Sequence, residues 1–308
     1  MSRTPPMRAV TFLAGAALLA TSACGAGSAE TAADGRPEVI AAFYPLQWLT
    51  EQVAGPDANV TVLTAPGVEP HDLELGIQQM TKLQDAALTV YVKGVQPAVD
   101  DAVSGDTAFD AAAVVTTIPA GGHADEEGHT EEHAAEHGVS YDPHIWLDPS
   151  RLATVAGKLG ERLAAADPDH AQAYEDRAAK AAGVLGGLDQ EFAKGLAACA
   201  GKTLITAHEA FGYLADRYKL KQVGITLDPE TEPSPKRLSE VAALARSEGA
   251  TTIFTESLVS PKVAEVLAGE VGAKTAVLDP LESKPAGDYL TAMRGNLETL
   301  RTALGCAA

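Results

Sequence analysis

Eight histidines are spread over 308 residues, at positions 71, 123, 129, 133, 137, 144, 170 and 208, and their surroundings divide them into three kinds. His71 lies in Gly67-Val68-Glu69-Pro70-His71-Asp72, beyond a predicted strand and a turn, and His144 lies in Asp142-Pro143-His144-Ile145-Trp146-Leu147-Asp148-Pro149. His208 and Asp279 each come straight after a predicted strand, in Ile205-Thr206-Ala207-His208 and Val277-Leu278-Asp279. Three imidazoles and one carboxylate have the count and donor types of a closed tetrahedral zinc site. Pro70 and Pro143 restrict the backbone just ahead of two of the donors and help to aim them. Singly, such a His is more often a hydrogen-bonded structural residue, and such an Asp more often a helix cap. It is their joint placement that points to a metal.

The second kind is His123, His129, His133 and His137, of which the last three are four residues apart and share one face if the segment is helical. Asp125, Glu126, Glu127, Glu131, Glu132 and Glu136 add oxygen donors among them. Residues 121–138 contain no core-forming side chain and read as an exposed insertion. It is either a low-affinity collector of metal or a solvated loop that binds metal incidentally. His170, in Asp167-Pro168-Asp169-His170, reads as a surface residue.

Elements must exist that bring donors so far apart in sequence together. Short apolar runs at Val39–Phe43, Val60–Leu63, Leu88–Val92 and Val114–Ile118 predict strands, with helical segments at Ile77–Ala86 and near Val99–Val103 between them. A second series, Thr203–Thr206, Val223–Leu227, Thr252–Thr255 and Thr275–Leu278, repeats the rhythm. Alternation of this kind is that of a parallel sheet with crossover helices. Between the two series, Tyr174, Ala178, Ala181, Leu185, Leu188, Phe192 and Leu196 recur at spacings of four and three, one face of a single long helix. Gly183, Gly186 and Gly187 each weaken that helix by up to about 1 kcal/mol, so burial of its apolar face must compensate.

The fold class is therefore α/β: two small parallel-sheet lobes, 38–171 and 199–308, joined by a long rigid backbone helix over 172–198. Residues just past the carboxyl ends of parallel strands lie along one edge, where ligands sit. A cleft between the lobes would then receive His71 and His144 from one side and His208 and Asp279 from the other.

Arg3 and Arg8 ahead of an apolar stretch from Ala9 to Ala20, followed by Thr21-Ser22-Ala23-Cys24, form an export signal over residues 1–23. The apolar run is too short to span a bilayer. A small-residue run ending in Cys is the pattern of a bacterial lipoprotein, with Cys24 as the lipidated N-terminus; the alternative is an ordinary cleavage after Ala23. Residues 24–37 are then a flexible tether. Either way the mature protein works outside the cytoplasm, periplasmic or lipid-anchored to the outer face of the cell membrane.

Without residues 1–23 the chain keeps 21 basic residues and 42 acidic ones, a formal charge of −21. Such a chain repels nucleic acid and acidic lipid and concentrates cations. Cys199 and Cys306 remain, and in an oxidising compartment an isolated pair usually bridges. Closing that loop stabilises a fold by roughly 4 to 5 kcal/mol in the chain-entropy model. Two free thiols, or ligands of a soft metal, are the alternatives.

Five segments carry a resemblance over nearly the whole mature chain: Phe43-Tyr44-Pro45-Leu46, Glu69-Pro70-His71-Asp72, Asp142 to Pro149, Thr206-Ala207-His208-Glu209-Ala210-Phe211-Gly212-Tyr213, and Glu232-Pro233-Ser234-Pro235. They resemble those of the zinc-specific solute-binding proteins of ATP-binding-cassette importers. The resemblance implies Zn2+ as the ion, His71, His144 and His208 as ligands, and Asp279 at the carboxylate position. Some members of that family place water or a Glu there. Glu256 would at most support a ligand from behind. The manganese-binding relatives have a carboxylate where His208 stands, so a manganese or other divalent-metal protein is the neighbouring alternative. The implied partner is a cognate permease in the cytoplasmic membrane, and the implied fold allows little lobe motion.

A zinc-dependent hydrolase is the rival from another class. His208-Glu209 begins the zinc-protease pattern, but Gly212 occupies the place of its second His, and four protein donors leave no position for activated water. An adhesive surface protein would need neither the His set nor a cleft.

Overall fold

A computed structural model describes Met1, residues 35–120 and residues 139–306. The export segment, Cys24, and His123, His129, His133 and His137 lie outside the described residues.

The first lobe is built on β1 (Glu38–Ala41), β2 (Asn59–Val62), β3 (Leu88–Tyr91) and β4 (Ala108–Asp110), all parallel, in the order β2-β1-β3-β4. The second is built on β5 (Thr203–Thr206), β6 (Lys221–Gly224), β7 (Thr252–Thr255) and β8 (Lys274–Val277), parallel in the order β6-β5-β7-β8. The two orders are the same, so each lobe has its crevice in the same place, where the chain leaves one central strand for either side. Central strands are covered on both faces, which is why Val39-Ile40-Ala41 and Leu204-Ile205-Thr206 are fully buried runs. The edge strand Lys274-Thr275-Ala276-Val277 is mostly exposed and opens on a lysine.

One expected strand is displaced. Val114–Ile118 is not a strand: Ala112–Val114 forms a 3-10 turn, and the fourth strand of the sheet is Ala108–Asp110. The β-branched run looks like a strand, but the turn at Gly105–Thr107 has already laid Ala108-Phe109-Asp110 beside β3, with Phe109 buried. Residues 113–118 then pass over the surface, partly exposed.

The lobes are joined by a helical hairpin, Pro149–Ala166 followed by Ala171–Leu196. Asp148 caps the first helix by accepting from the Ser150 and Arg151 N–H groups, and Pro149 stands at the first helical position, where its missing N–H costs nothing. The long helix buries Tyr174, Ala178, Ala181, Leu185, Leu188, Phe192 and Leu196, the face read from the sequence. It packs on helix Tyr44–Ala54 of the first lobe and on helix Tyr289–Leu304 of the second. Its partner helix comes so close that a Cβ on Gly160 would stand 2.5 Å from the Ala178 Cβ. Truncating fully buried Leu185 to alanine would cost about 2–5 kcal/mol.

One apolar core runs from the first lobe through this helix to Phe254, Leu278, Tyr289 and Met293 of the second. A smaller one, with Ile205, Ile225, Val241, Ile253 and Leu267, fills the outer side of the second sheet. A shared core of this extent holds the lobes in a fixed relation. A disulfide joins Cys199, at the end of the long helix, to Cys306 just past the last helix, with their Cα atoms 5.5 Å apart. Among the described residues no helix is long and apolar enough to cross a membrane.

Candidate metal centre

Both sheets turn their carboxyl ends toward the cleft, and four donors meet there. One atom from each of His71, His144, His208 and Glu282 can be chosen so that all lie within 4.8 Å of one another. The Nε2 atoms of His144 and His208 are 3.4 Å apart. Glu282 Oε1 is 3.3 Å from His71 Nε2, 3.6 Å from His144 Nε2 and 3.6 Å from His208 Nε2. Donors set at about 2.0–2.1 Å around a tetrahedral zinc ion stand about 3.3–3.4 Å from one another. The four side chains are at most 4% exposed.

Each imidazole is aimed by its own segment. His208 follows β5 by two residues; its backbone N–H donates to Glu256 Oε1 at 3.0 Å and its Nδ1 lies 2.6 Å from Glu256 Oε2. Glu256 is the residue directly after β7, so one carboxylate bridges the two central strands of the second sheet. Thr206 Oγ1 and Gln222 Nε2 both donate to the His208 carbonyl. His144 is held the same way by a nearer group, since Asp142 Oδ1 accepts from its N–H at 2.9 Å and lies 2.7 Å from its Nδ1. An ionised carboxylate only accepts, so the ring proton sits on Nδ1 in both and the Nε2 lone pair faces the cleft. The backbone N–H of His71 donates to Glu69 Oε1.

The rest of the Asp142–Pro149 segment is explained by the same frame. Trp146 is fully buried edge-on against Phe43, and its Nε1 donates across the cleft to the Pro280 carbonyl at 2.7 Å. Tyr213 donates to the Asp142 carbonyl at 2.6 Å. A Cβ on Gly212 would lie 2.2 Å from Asp142 Oδ2, so glycine is what lets that carboxylate approach. Gly212 therefore belongs to the His144 clamp. Glu209 is not among the four donors; it turns to the Gly224 N–H and to Arg237, and burial raises its pKa to about 7.

Asp279, expected as the fourth donor, is not brought to that point. Its Oδ1 accepts from the Leu281 N–H at 2.8 Å and its Oδ2 accepts from Ser257 Oγ at 3.1 Å. Leu281 adopts a left-handed φ of 62° although it is buried, a conformation costing a leucine roughly 1–2 kcal/mol, and this reversal carries the chain back so that Glu282 enters the cleft. The missed residue, Glu282, sits in Pro280-Leu281-Glu282-Ser283 with no periodicity to mark it; the signals for it are an acidic residue close to a strand end and a resembled family in which some members use a Glu at that position.

The charges in the site are mutually dependent. Burial pushes the His71 pKa down, but the hydrogen bond and charge of Glu282 outweigh it and the net shift is upward. Burial likewise lowers His208, while Glu256 and then Glu282 raise it, leaving it well above 6.5. Burial alone would raise Glu282, yet His208 and His71 hold it far below the usual carboxylate range. Burial, followed by the charge of Glu282, lifts Glu69 to about 8. Glu282 Oε2 is buried and has no hydrogen-bond partner among the described residues. A buried carboxylate beside three inward imidazole Nε2 atoms is suited to a cation of zinc's size and softness.

Comparison with known proteins agrees with this chemistry. The family model described as zinc-uptake complex component A, periplasmic, matches residues 39–303. The chain is 36% identical over 289 residues to the zinc-binding protein AdcA of Streptococcus pyogenes serotype M3, covering 87% of this chain and 56% of that protein. It thus spans little more than half the length of such relatives. It is 33% identical over 310 residues to the high-affinity zinc uptake system protein ZnuA of Bacillus subtilis, covering 95% and 96% of the two chains. Among solved structures, zinc-bound AdcA from Streptococcus pneumoniae superposes with a TM-score of 0.73 at 32% identity, over 88% of this chain and 58% of that one.

Proposed function

The chain belongs to the family of periplasmic zinc-uptake complex component A, and from that premise we propose that it captures zinc outside the cytoplasm and delivers it to the permease of an ATP-binding-cassette importer. The observation that carries this reading is the convergence of three imidazoles and one carboxylate at one buried point between the lobes. His71, His144, His208 and Glu282 are the ligands. Four protein donors fill a tetrahedral ion's coordination and leave no open position for an activated water, which speaks for capture rather than hydrolysis. Three imidazoles favour zinc over manganese.

Capture draws on field and clamp together. The acidic chain raises the local concentration of cations. Asp142 and Glu256 keep two imidazoles in the correct tautomer before the ion arrives, so little ordering is needed on binding. With one core running through the long helix, delivery works by moving the donor-bearing loops more than by swinging lobes. The small-residue run ending at Cys24 supports attachment to the membrane by a lipid, close to the permease.

Equilibrium dialysis of purified, metal-stripped protein tests the reading. One tightly held zinc per chain is expected. Failure to retain zinc, or equal retention by a His208→Ala variant, would overturn it.

A further inference from the structure

We infer that Asp279 is a positioning residue for the metal site, which fixes the turn that presents Glu282 without itself touching the ion. The inference rests on the zinc-capture reading above.

Residues 279–283 are pinned at every step. The Asp279 N–H donates to Asn296 Oδ1 at 3.0 Å, and Asn296 Nδ2 donates back to the Asp279 carbonyl at 2.6 Å, tying the turn to the C-terminal helix. Both oxygens of the Asp279 side chain are occupied, Oδ1 by the Leu281 N–H and Oδ2 by Ser257 Oγ. Pro280 accepts from Trp146 Nε1, and Ser283 Oγ accepts from the Gly67 N–H at 2.6 Å.

Three of these contacts come from segments that carry or clamp the other donors. Ser257 follows Glu256, which clamps His208; Trp146 is two residues past His144; Gly67 belongs to the His71 loop. The turn is therefore keyed to all three imidazoles at once. Its centre is Leu281, buried at a positive φ that a leucine leaves unless its surroundings enforce it. The bond from Leu281 N–H to Asp279 Oδ1 is the local contact that enforces it. Without that bond Leu281 can relax, and Glu282 then swings from the point where the three Nε2 atoms meet.

A ligand role and a positioning role separate on substitution by asparagine. Asp279→Asn keeps an oxygen for the Leu281 N–H and replaces Oδ2 by an amide that Ser257 Oγ can accept from, but it loses the negative charge a ligand would use. The experiment titrates zinc, in competition with a chelator, into the wild-type protein, Asp279→Ala and Asp279→Asn, and records the visible spectrum of each with cobalt(II) in place of zinc. The alanine variant is expected to bind zinc about 10–100-fold more weakly, and its cobalt spectrum to lose the intense four-coordinate bands. The asparagine variant is expected within about threefold of wild type with the four-coordinate spectrum intact. Loss in the asparagine variant equal to that in the alanine variant overturns the inference, because the charge itself would be in use. Unchanged affinity and spectrum in the alanine variant overturns it too. If the alanine variant does not fold, Ser257→Ala removes only the donor to Oδ2: weaker zinc binding at an unchanged melting temperature supports the inference, and unchanged binding overturns it. A wild-type protein that fails to bind zinc defeats the capture reading instead, whatever the order of the variants.

Discussion

The two halves of the site are supported differently. In the second lobe, His208 stands two residues past Thr206 of β5, and Glu282 stands on a pinned turn just past β8. In the first lobe, His71 lies well beyond Val62 of β2 and His144 far beyond Asp110 of β4, both on irregular segments. Strand-borne donors inherit the rigidity of a sheet, whereas loop-borne donors move at lower cost. We propose that the second lobe is a preformed platform and that the donor-bearing loops of the first lobe, not the lobe itself, are the part that moves. Capture and release by the same four residues becomes possible without opening the shared core.

The largest test of this asymmetry removes one imidazole from each half. A structural zinc site of about 10–16 kcal/mol shared by four donors assigns each about 2.5–4 kcal/mol, or some two to three orders of magnitude in Kd. His208→Ala should show that full loss in chelator competition. His71→Ala should lose about tenfold less, because a water can follow the loop into the vacated position. Equal losses would mean that the two halves are equally rigid.

Proton competition sharpens the same contrast. Zinc needs neutral imidazoles, and in the metal-free protein Glu282 raises His71 while Glu256 and Glu282 raise His208 further. Zinc affinity should therefore fall steeply as pH drops below the raised values of these histidines, by up to tenfold per pH unit for each imidazole that titrates. For folding the sign is opposite. A raised histidine pKa contributes stability that is present below the unfolded value of about 6.5 and is lost as pH rises through the folded value. The rise in melting temperature on adding zinc should accordingly grow with pH, checked by calorimetry with and without the metal. In nitrogen-15 spectra of the metal-free protein, His71 should lose its proton at lower pH than His208. The reverse order would place the stronger clamp in the first lobe.

Next come the carboxylates behind the rings. Glu256→Gln and Asp142→Asn should each weaken zinc about 10–100-fold, measured by the same competition. The Asp142 change should also disturb the contact between the lobes, because that carboxylate packs against Gly212 of the second lobe. The smallest effect concerns the helix common to both halves. Gly183 and Gly187 are exposed, with room for a methyl group, so Gly183→Ala and Gly187→Ala should each raise stability by about 0.5–1 kcal/mol in denaturant titration. Zinc affinity should stay constant, since the helix already holds the lobes in place; a change would mean that the spine flexes during capture.

Much of this architecture is local in origin and can be read from the chain. Tyr174 to Leu196 declare one helical face because period 3.6 is a property of the backbone. The β5 and β7 runs are recognisable because a strand covered on both faces has an apolar, β-branched or aromatic centre, here Leu204-Ile205 and Ile253-Phe254 between threonines. The Asp142 clamp on His144 is local as well, a carboxylate two residues from the ring it holds, although only the structure showed the bond. The Glu256 clamp on His208 spans 48 positions and exists only because β5 and β7 are neighbours. Residues 114–118 show the limit of composition, since a β-branched run became a surface passage once β4 had taken the place beside β3.

The sequence alone determined most of the elements, that they make two parallel sheets about one long helix, and that His71, His144, His208 and, as read there, Asp279 are the donors to consider. Hydrophobic period, turn chemistry and residue type are short-range properties, so they survive being read one segment at a time. Which carboxylate reaches the three rings was decided only in three dimensions. Asp279 and Glu282 differ by three positions; Asp279 is held by Asn296 and Ser257 and accepts from the N–H of the left-handed Leu281, after which the chain turns Glu282 toward the three rings.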